Sequence, residues 1–230
     1  SQNQPVHGIH GGAMGTYKIM TDETLRETVR HGDDRYPFAY YPENIWQFDF
    51  HRIDWHWHHE LEFIYVAEGA ALCLIGADKI ELSKGCGLFI NSSILHRFEA
   101  KSSTFFPNIV FAPSLLAPEE SLIYDKYISP VIHAALPCQI FDPHTPWQND
   151  VLQLLLQIFA LQEGEEKKEL CTLQLLFQIW DILWNHLDLS ADPQNPHRVN
   201  HRQARLQTMM QYIHDHYTEE ISLEMIAASA

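Results

Sequence analysis

The stretch that decides the fold is His56-Trp57-His58-His59-Glu60-Leu61-Glu62. Successive side chains of an extended strand point to opposite faces, so residues at even spacing share one face. If this stretch is extended, His56, His58 and Glu62 point the same way. Two imidazoles and a carboxylate that converge in this manner can hold one metal ion, and the nitrogen-rich set suits Zn, Mn, Fe or Ni. The sequence therefore predicts a possible divalent-metal site on this strand.

A fourth donor, His96, follows a later strand that is opened by a glycine. The spacing of the two stretches resembles the two motifs of the cupin superfamily, as His56-x-His58-x3-Glu62-x6-Gly69 and Gly85-x5-Asn91-x-Ser93-x2-His96. Asn91 and Ser93 stand where that family usually has Pro and Gly. The resemblance fills all four metal-ligand positions and implies a small double-stranded β-barrel.

Short strand-like runs support a β-rich middle of the chain. They are separated by turn residues and fall at residues 46–52, 61–66, 70–75, 79–82, 88–90, 95–99 and 105–111. Many short strands at close spacing are typical of a sandwich or barrel. Before them, residues 22–30 show one helical patch. The overall expectation is an α+β fold, in which this barrel precedes helices.

Helical periodicity replaces the strand pattern after residue 113. Pro146 suits a first helical turn, and apolar residues then recur at spacings of three and four on both sides of Gly164. This pattern predicts an antiparallel helical hairpin. Its second helix carries a stripe that either packs in the core of one chain or forms a dimer interface: Leu173, Leu176, Trp180, Leu183 and Leu187.

The charge of the chain argues against nucleic-acid binding by most of its surface. With 15 Lys+Arg against 30 Asp+Glu, the formal net charge is −15, which repels phosphate backbones. The exception is the acid-free stretch 193–214, which contains Arg198, Arg202 and Arg205. Further on, Ser222 is placed to cap a helix that has Glu224 in its first turn.

The wider sequence resembles AraC/XylS-type bacterial transcription regulators. The resemblance covers roughly residues 37–230. It rests on the stretches 37–41, 48–52 and 56–58 and on the order of barrel, helical hairpin, linker and helices. It also rests on the tail 207–230, which resembles the opening of the family's first helix-turn-helix. It implies an N-terminal segment (1–36), a cupin barrel (37–113), a helical dimerisation region (114–190), a linker (191–204) and a helix-turn-helix start (205–230). We expect the chain to be truncated there, with DNA bound through the missing C-terminal domain.

The resemblance implies a sensor for a small effector, such as a sugar or related metabolite, and not an enzyme. The expected effector-binding residues combine aromatic, charged and imidazole groups, a mixture that suits a polyhydroxyl ligand: Trp46, His56, Trp57, His58, Glu62, His96 and Arg97. The alternative is a metal-dependent cupin enzyme of dioxygenase or isomerase type, which would use an open coordination position.

The sequence also predicts the partners and the cellular location of the protein. We expect a homodimer and no membrane contact, since no apolar run reaches the roughly 18 residues that a span requires. The four cysteines are widely spaced and form no CxxC pair, a pattern that indicates reduced thiols of a cytoplasmic protein.

Overall fold

A computed structural model of the chain describes residues 8–11, 16–76, 78–164, 169–189, 209 and 222–228. The strands are β1 Gly8–Gly11, β2 Thr16–Ile19, β3 Phe38–Tyr41, β4 Arg52–His56, β5 Leu61–Tyr65, β6 Ala70–Ile75, β7 Asp78–Ser83, β8 Gly87–Ile90, β9 His96–Glu99, β10 Asn108–Phe111 and β11 Cys138–Phe141. The helices are α1 Ser129–Ile132, α2 Pro146–Glu163, α3 Glu169–His186 and α4 Leu223–Ala228. A π-helical turn, Tyr124–Ile128, precedes α1.

Two antiparallel sheets form the barrel. One has the strand order β11-β8-β5-β10-β3 and the other the order β4-β9-β6-β7, and β1 and β2 form a separate hairpin. Apolar side chains from both sheets fill the space between them, among them Ile64, Leu88, Ile53, Cys73 and Phe98. The predicted α+β fold with a cupin barrel is confirmed.

The central strand β5 is buried on both faces, which explains why all of its residues but Glu62 are apolar or aromatic. Leu61 and Phe63 point out of the barrel into the core that the helices cover. Ile64 points into the barrel, and Glu62 has the same parity. The pleat of the strand therefore turns one carboxylate inward among apolar side chains.

Helices α2 and α3 cover the outer face of the five-stranded sheet, as the predicted hairpin. Helix α2 begins at Pro146, whose fixed φ suits a first turn. At the other end of α2, the Gln162 side chain donates a hydrogen bond to Thr172 Oγ1 on α3, at 2.9 Å. None of the described helices combines the length and the apolar character needed to cross a bilayer.

Two local predictions are wrong. Residues 46–52 are not a strand, because Asn44 Oδ1 accepts a hydrogen bond from the Trp46 N–H and starts a 3-10 turn. A second such turn follows, in which Phe50 and His51 have φ of 56° and 54°. Residues 22–30 are not helical, because Asp22 forms side-chain hydrogen bonds to the backbone of Thr24 and Arg26 and turns the chain.

The sheet extends beyond the predicted end of the barrel at residue 113. Strand β11 lies within the region 114–190 and pairs with β8 from Cys138↔Ile90 to Phe141↔Gly87. The predicted linker 191–204 lies outside the described residues, and so does most of 205–230. In the described part of the tail, Ser222 Oγ accepts a hydrogen bond from the Met225 N–H at 3.2 Å, which confirms the predicted helix cap.

Candidate metal centre

Four side chains meet where the two sheets come together. His56 ends β4, His58 lies in the β4–β5 connection, Glu62 is on β5, and His96 begins β9. Their ligand atoms all lie within 4.8 Å of one another, and none of the four residues is more than 4% exposed. They do not share one strand, as the spacing suggested, because the chain leaves the extended conformation after His56.

The backbone around the centre explains how the four residues reach it. His56 pairs with His96 across β4 and β9, and the His58 carbonyl accepts a hydrogen bond from the Ser93 N–H at 2.8 Å. Ser93 has a φ of 61°, so it adopts the left-handed conformation for which the cupin motif usually supplies glycine. The turn around Ser93 therefore holds the His58 backbone close to His96.

Each imidazole uses one nitrogen to hydrogen-bond a backbone carbonyl two residues away. His56 Nδ1 lies 2.7 Å from the Asp54 carbonyl oxygen, His58 Nδ1 lies 3.1 Å from that of Glu60, and His96 Nδ1 lies 2.7 Å from that of Ile94. Since a carbonyl only accepts, each Nδ1 carries the hydrogen. In the neutral rings each Nε2 is therefore left with a lone pair.

The Nε2 atoms of His58 and His96 face a carboxylate. Glu62 Oε2 lies 3.2 Å from His58 Nε2 and 3.2 Å from His96 Nε2, and His96 Nε2 is a buried nitrogen without a hydrogen-bond partner in the described chain. Metal–ligand bonds of about 2.1 Å place two ligands of one ion at most about 4.2 Å apart. Shifts of well under 1 Å, on the order of 0.6 Å, would therefore complete the coordination, so the residues fit a metal ion.

Burial and mutual charge set the protonation of the centre. Burial lowers the pKa of His56 well below its usual range, and the neighbouring His96 adds to this. Burial also acts to lower the pKa of His58, but the hydrogen bond and the charge of Glu62 raise it overall. Burial would raise the pKa of Glu62, yet His58 and His96 hold it well below its usual range. Without metal, the pairing of His58 with Glu62 therefore favours the protonated form of His58 and the ionised form of Glu62.

A second polar group, not predicted from the sequence, adjoins the centre. Glu27 and His31 are buried, and His31 Nε2 lies 3.1 Å from Glu27 Oε2. The His31 ring centroid is 5.5 Å from that of His58, and the Glu27 N–H donates a hydrogen bond to the Trp57 carbonyl at 2.9 Å. The sequence signal for this group was a glutamate and a histidine four residues apart, with Glu27 inside the stretch 22–30 predicted to be helical and His31 directly after it.

The comparisons with known proteins identify the family. Residues 44–179 match the family model of the AraC-like ligand binding domain, a range that is more than half of the chain and includes all four residues of the centre. The Bacillus subtilis (strain 168) protein named uncharacterized HTH-type transcriptional regulator YdeC is 31% identical over 214 residues, covering 91% of this chain and 72% of YdeC. The chain belongs to the AraC family of transcriptional regulators.

A second relative of this AraC-family chain is the HTH-type transcriptional activator RhaS of Enterobacter sp. (strain 638). It is 24% identical over 214 residues, which cover 87% of this chain and 69% of RhaS. Among solved structures, a cupin-2 domain protein of Shewanella frigidimarina NCIMB 400 matches 35% of this chain and 74% of its own, with 21% identity and a TM-score of 0.27. The part of this chain within the family match is the ligand-binding domain of a transcriptional regulator, as the sequence predicted.

Three of the residues predicted to bind the effector do not join the centre of this AraC-family domain. Trp46 is 38% exposed and stacks on His51 with ring centroids 3.5 Å apart. The Trp57 indole N–H donates a hydrogen bond to the Thr24 carbonyl at 2.9 Å. Arg97 forms ion pairs with Asp54 and Glu99. These three side chains are therefore held by other partners, and their part in effector binding stays a prediction.

The residues of the predicted dimer stripe lie largely in the core of the single chain. Leu176, Trp180, Leu183 and Leu187 are at most 9% exposed within the single chain, and Leu173 is partly buried against the same core. The indole of Trp180 meets the Phe89 ring edge-on at 6.5 Å. Within one chain the stripe therefore covers the aromatic outer face of the five-stranded sheet, and its part in a dimer interface stays a prediction.

Proposed function

We propose that this regulator binds a divalent cation through His56, His58, Glu62 and His96 and senses its small effector there. One observation carries the proposal: the Nδ1–H groups of three buried imidazoles donate to backbone carbonyls, and the ligand atoms of these residues and Glu62 lie within 4.8 Å of one another. Groups of this kind are costly to bury unless a cation lies among them. A divalent ion would remove that cost.

The residues of the centre have separate tasks in this proposal. Glu62 would neutralise part of the charge of the ion, and the three carbonyl contacts would hold the imidazole rings in the ligating tautomer. When bound, the ion would supply a Lewis-acidic position for an oxygen-bearing molecule. This chemistry supports an effector that carries hydroxyl or carboxylate groups, such as a sugar or a related metabolite.

The output of the sensor would be altered DNA binding. We propose that the effector favours one arrangement of a cytoplasmic homodimer over another, which requires different affinities for the two arrangements. DNA would be bound through the helix-turn-helix part that follows the linker, because the net charge of −15 disfavours binding by the barrel itself. The YdeC and RhaS names, which describe regulators, support this role over an enzymatic one.

Metal content tests the first half of the proposal. The chain, purified without an affinity tag or resin-bound metal, is analysed by mass spectrometry of its elements. About one divalent ion per chain is the expected stoichiometry. Content far below one per chain, with no gain when Zn, Mn, Fe or Ni is added, would overturn the proposal.

Effector binding tests the second half. Sugars and related metabolites are screened by thermal shift on the metal-loaded chain and on a His96→Ala variant. A supporting compound stabilises the loaded wild type, leaves the variant unchanged, and alters promoter binding by the full-length regulator. If no stabilising compound changes promoter binding by the full-length regulator, the proposed sensor role is contradicted, even if the metal site is confirmed.

A further inference from the structure

A cleft of about 390 Å³ lies between β2 and β4, apart from the metal centre. Arg52 and Asp54 of β4 line the cleft, whereas Ile53 between them packs in the barrel core. Because successive side chains of a strand point to opposite faces, the cleft uses the face of β4 that turns away from the core. Arg52 also precedes the metal ligand His56 by four residues, about 13 Å along a strand. None of the four residues of the metal centre lines the cleft.

The cleft exists because the chain covers only part of the free edge of β4. In its sheet β4 is an outer strand, with β9 on one side only. The segment 25–27 covers the other side at Trp57, whose N–H donates a hydrogen bond to the Leu25 carbonyl at 3.0 Å and whose carbonyl accepts one from the Glu27 N–H at 2.9 Å. The hydrogen bonds of Asp22 turn the chain after β2, so the rest of the edge stays open beside β2.

Two residues of the lining have a strained backbone. Leu25 has a φ of 62° and Phe50 a φ of 56°, and His51 next to Phe50 has a φ of 54°. Residues with a bulky side chain rarely adopt this left-handed conformation, and residues held in it cluster at ligand sites. The Phe50 ring is 83% exposed, and the Arg52 guanidinium lies 5.1 Å from its centroid. The backbone therefore holds an aromatic ring out at the cleft, where it is accessible to a ligand.

The polar part of the lining carries charges of both signs. Lys18 and Arg52 are its cations, and Asp49 and Asp54 are its anions. The Asp54 carboxylate is shared, since it lies 3.4 Å from the Arg52 guanidinium and 3.7 Å from that of Arg97. A ligand with a single sign of charge would be repelled by half of this lining. A ligand that has both a carboxylate and an ammonium group would form favourable contacts with all of it.

The rest of the lining favours an apolar group on the same ligand. Aliphatic and aromatic side chains complete the walls: Ile19, Leu25, Phe50 and Trp55. The volume of the cleft is at the lower end of the range for small-molecule sites. We propose that the cleft binds an α-amino acid with an apolar side chain, as a second ligand of this regulator outside the barrel. Its carboxylate contacts Lys18 and Arg52, its ammonium group contacts Asp49, and its side chain lies against the aromatic rings.

Calorimetric titration of the intact chain tests the proposal. L-phenylalanine and L-leucine are the probes, and N-acetyl-L-phenylalanine and L-phenylalaninamide are matched compounds that each lack one charge. We expect saturable binding of one amino acid per chain, and binding at least about tenfold weaker for each matched compound because a charge-assisted contact is lost. Absence of saturable binding, or equal binding of the amino acid and both matched compounds, would overturn the proposal.

The same titration on His96→Ala separates the cleft from the metal centre. An amino acid is itself able to bind a metal ion through its amine and carboxylate, so the two sites need to be distinguished. The cleft does not involve His96, and we expect this variant to bind the amino acid as the wild type does, whether or not the chain holds a metal. Binding that is lost in His96→Ala would assign the amino acid to the metal centre and contradict the proposal.

Substitutions in the cleft locate the site. Lys18→Gln and Asp49→Asn should each weaken binding by about fivefold or more, whereas Lys79→Gln on β7 and Asp150→Asn on α2, both exposed, should leave it unchanged. Phe50→Gly removes the ring and the strained conformation together, so binding should weaken while the Tm stays the same or rises. Wild-type binding in Phe50→Gly, or equal weakening in the two control variants, would place the amino acid elsewhere.

Discussion

His96 is fully buried, and its Nε2 atom has no hydrogen-bond partner in the described chain. We therefore predict that His96→Ala lowers the affinity for divalent metal by about 100-fold or more, because a ligand is lost outright and the loss of a residue that only supports a ligand already costs about 10–100-fold. Competition with a chelating dye measures the effect. His133→Ala, at an exposed histidine, is the matched control and should bind metal as the wild type does. Equal affinities for the two variants would contradict the assignment.

The protonation of His58 predicts the pH dependence of metal binding. The pKa of His58 is raised, since Glu62 favours its charged form against the opposing effect of burial. A metal ion must displace this proton, so its affinity should rise with pH, by up to about tenfold per unit below the pKa of His58. Calorimetric titrations between about pH 5.5 and 8.5 check this. Affinity that is flat or falls with rising pH would argue against His58 as a ligand.

The spacing of the motifs in the sequence was enough to predict which four side chains would come together, but not which residues would surround them. His56, His58 and Glu62 meet His96 because two motifs are brought together by strand pairing that the sequence pattern anticipates. Glu27 and His31 were missed because local hydrogen bonds of Asp22 override the helical pattern of their segment. The contacts of Trp46, Trp57 and Arg97 could not be predicted, because side-chain direction depends on turns and on the irregular β4–β9 pairing between Ile53 and His56.

At the scale of elements, α3 contributes buried side chains to the hydrophobic core of a single chain. Leu183 is fully buried under the five-stranded sheet, so Leu183→Ala should lower the free energy of unfolding by about 2–5 kcal/mol. Because the contact lies within one chain, this loss should not depend on protein concentration. Urea unfolding at several concentrations measures it, with Gln178→Ala on the exposed face of the same helix as control. A loss that disappears on dilution would instead place the stripe at an interface.

Strand β11 could not be predicted from the sequence pattern of its own residues. It lies between helical segments, is four residues long, and joins the sheet only through pairing with β8. A run this short has no periodicity of its own, so only the long-range pairing defines it. Helices α2 and α3 were predictable because each repeats its apolar spacing over 18 residues.

At the scale of the whole molecule, metal binding should stabilise the fold. A ligand at 100 times its dissociation constant adds about 2.7 kcal/mol to the free energy of unfolding. For a chain of this size, this corresponds to a rise in Tm of roughly 5–11 °C. Differential scanning calorimetry with and without the ion measures the shift. His96→Ala should show almost none, and an equal shift in that variant would point to binding elsewhere.

The pairing of β11 with β8 also limits how such regulators can exchange parts. A chimaera that joined this barrel to another regulator's helices after residue 113 would lose β11 and leave one edge of β8 unpaired, open to association with other chains. A crossover placed after Phe141 would keep both sheets intact and pass on a barrel with its edge covered. Recombination between relatives should therefore be tolerated beyond β11 and selected against within the span from β10 to β11.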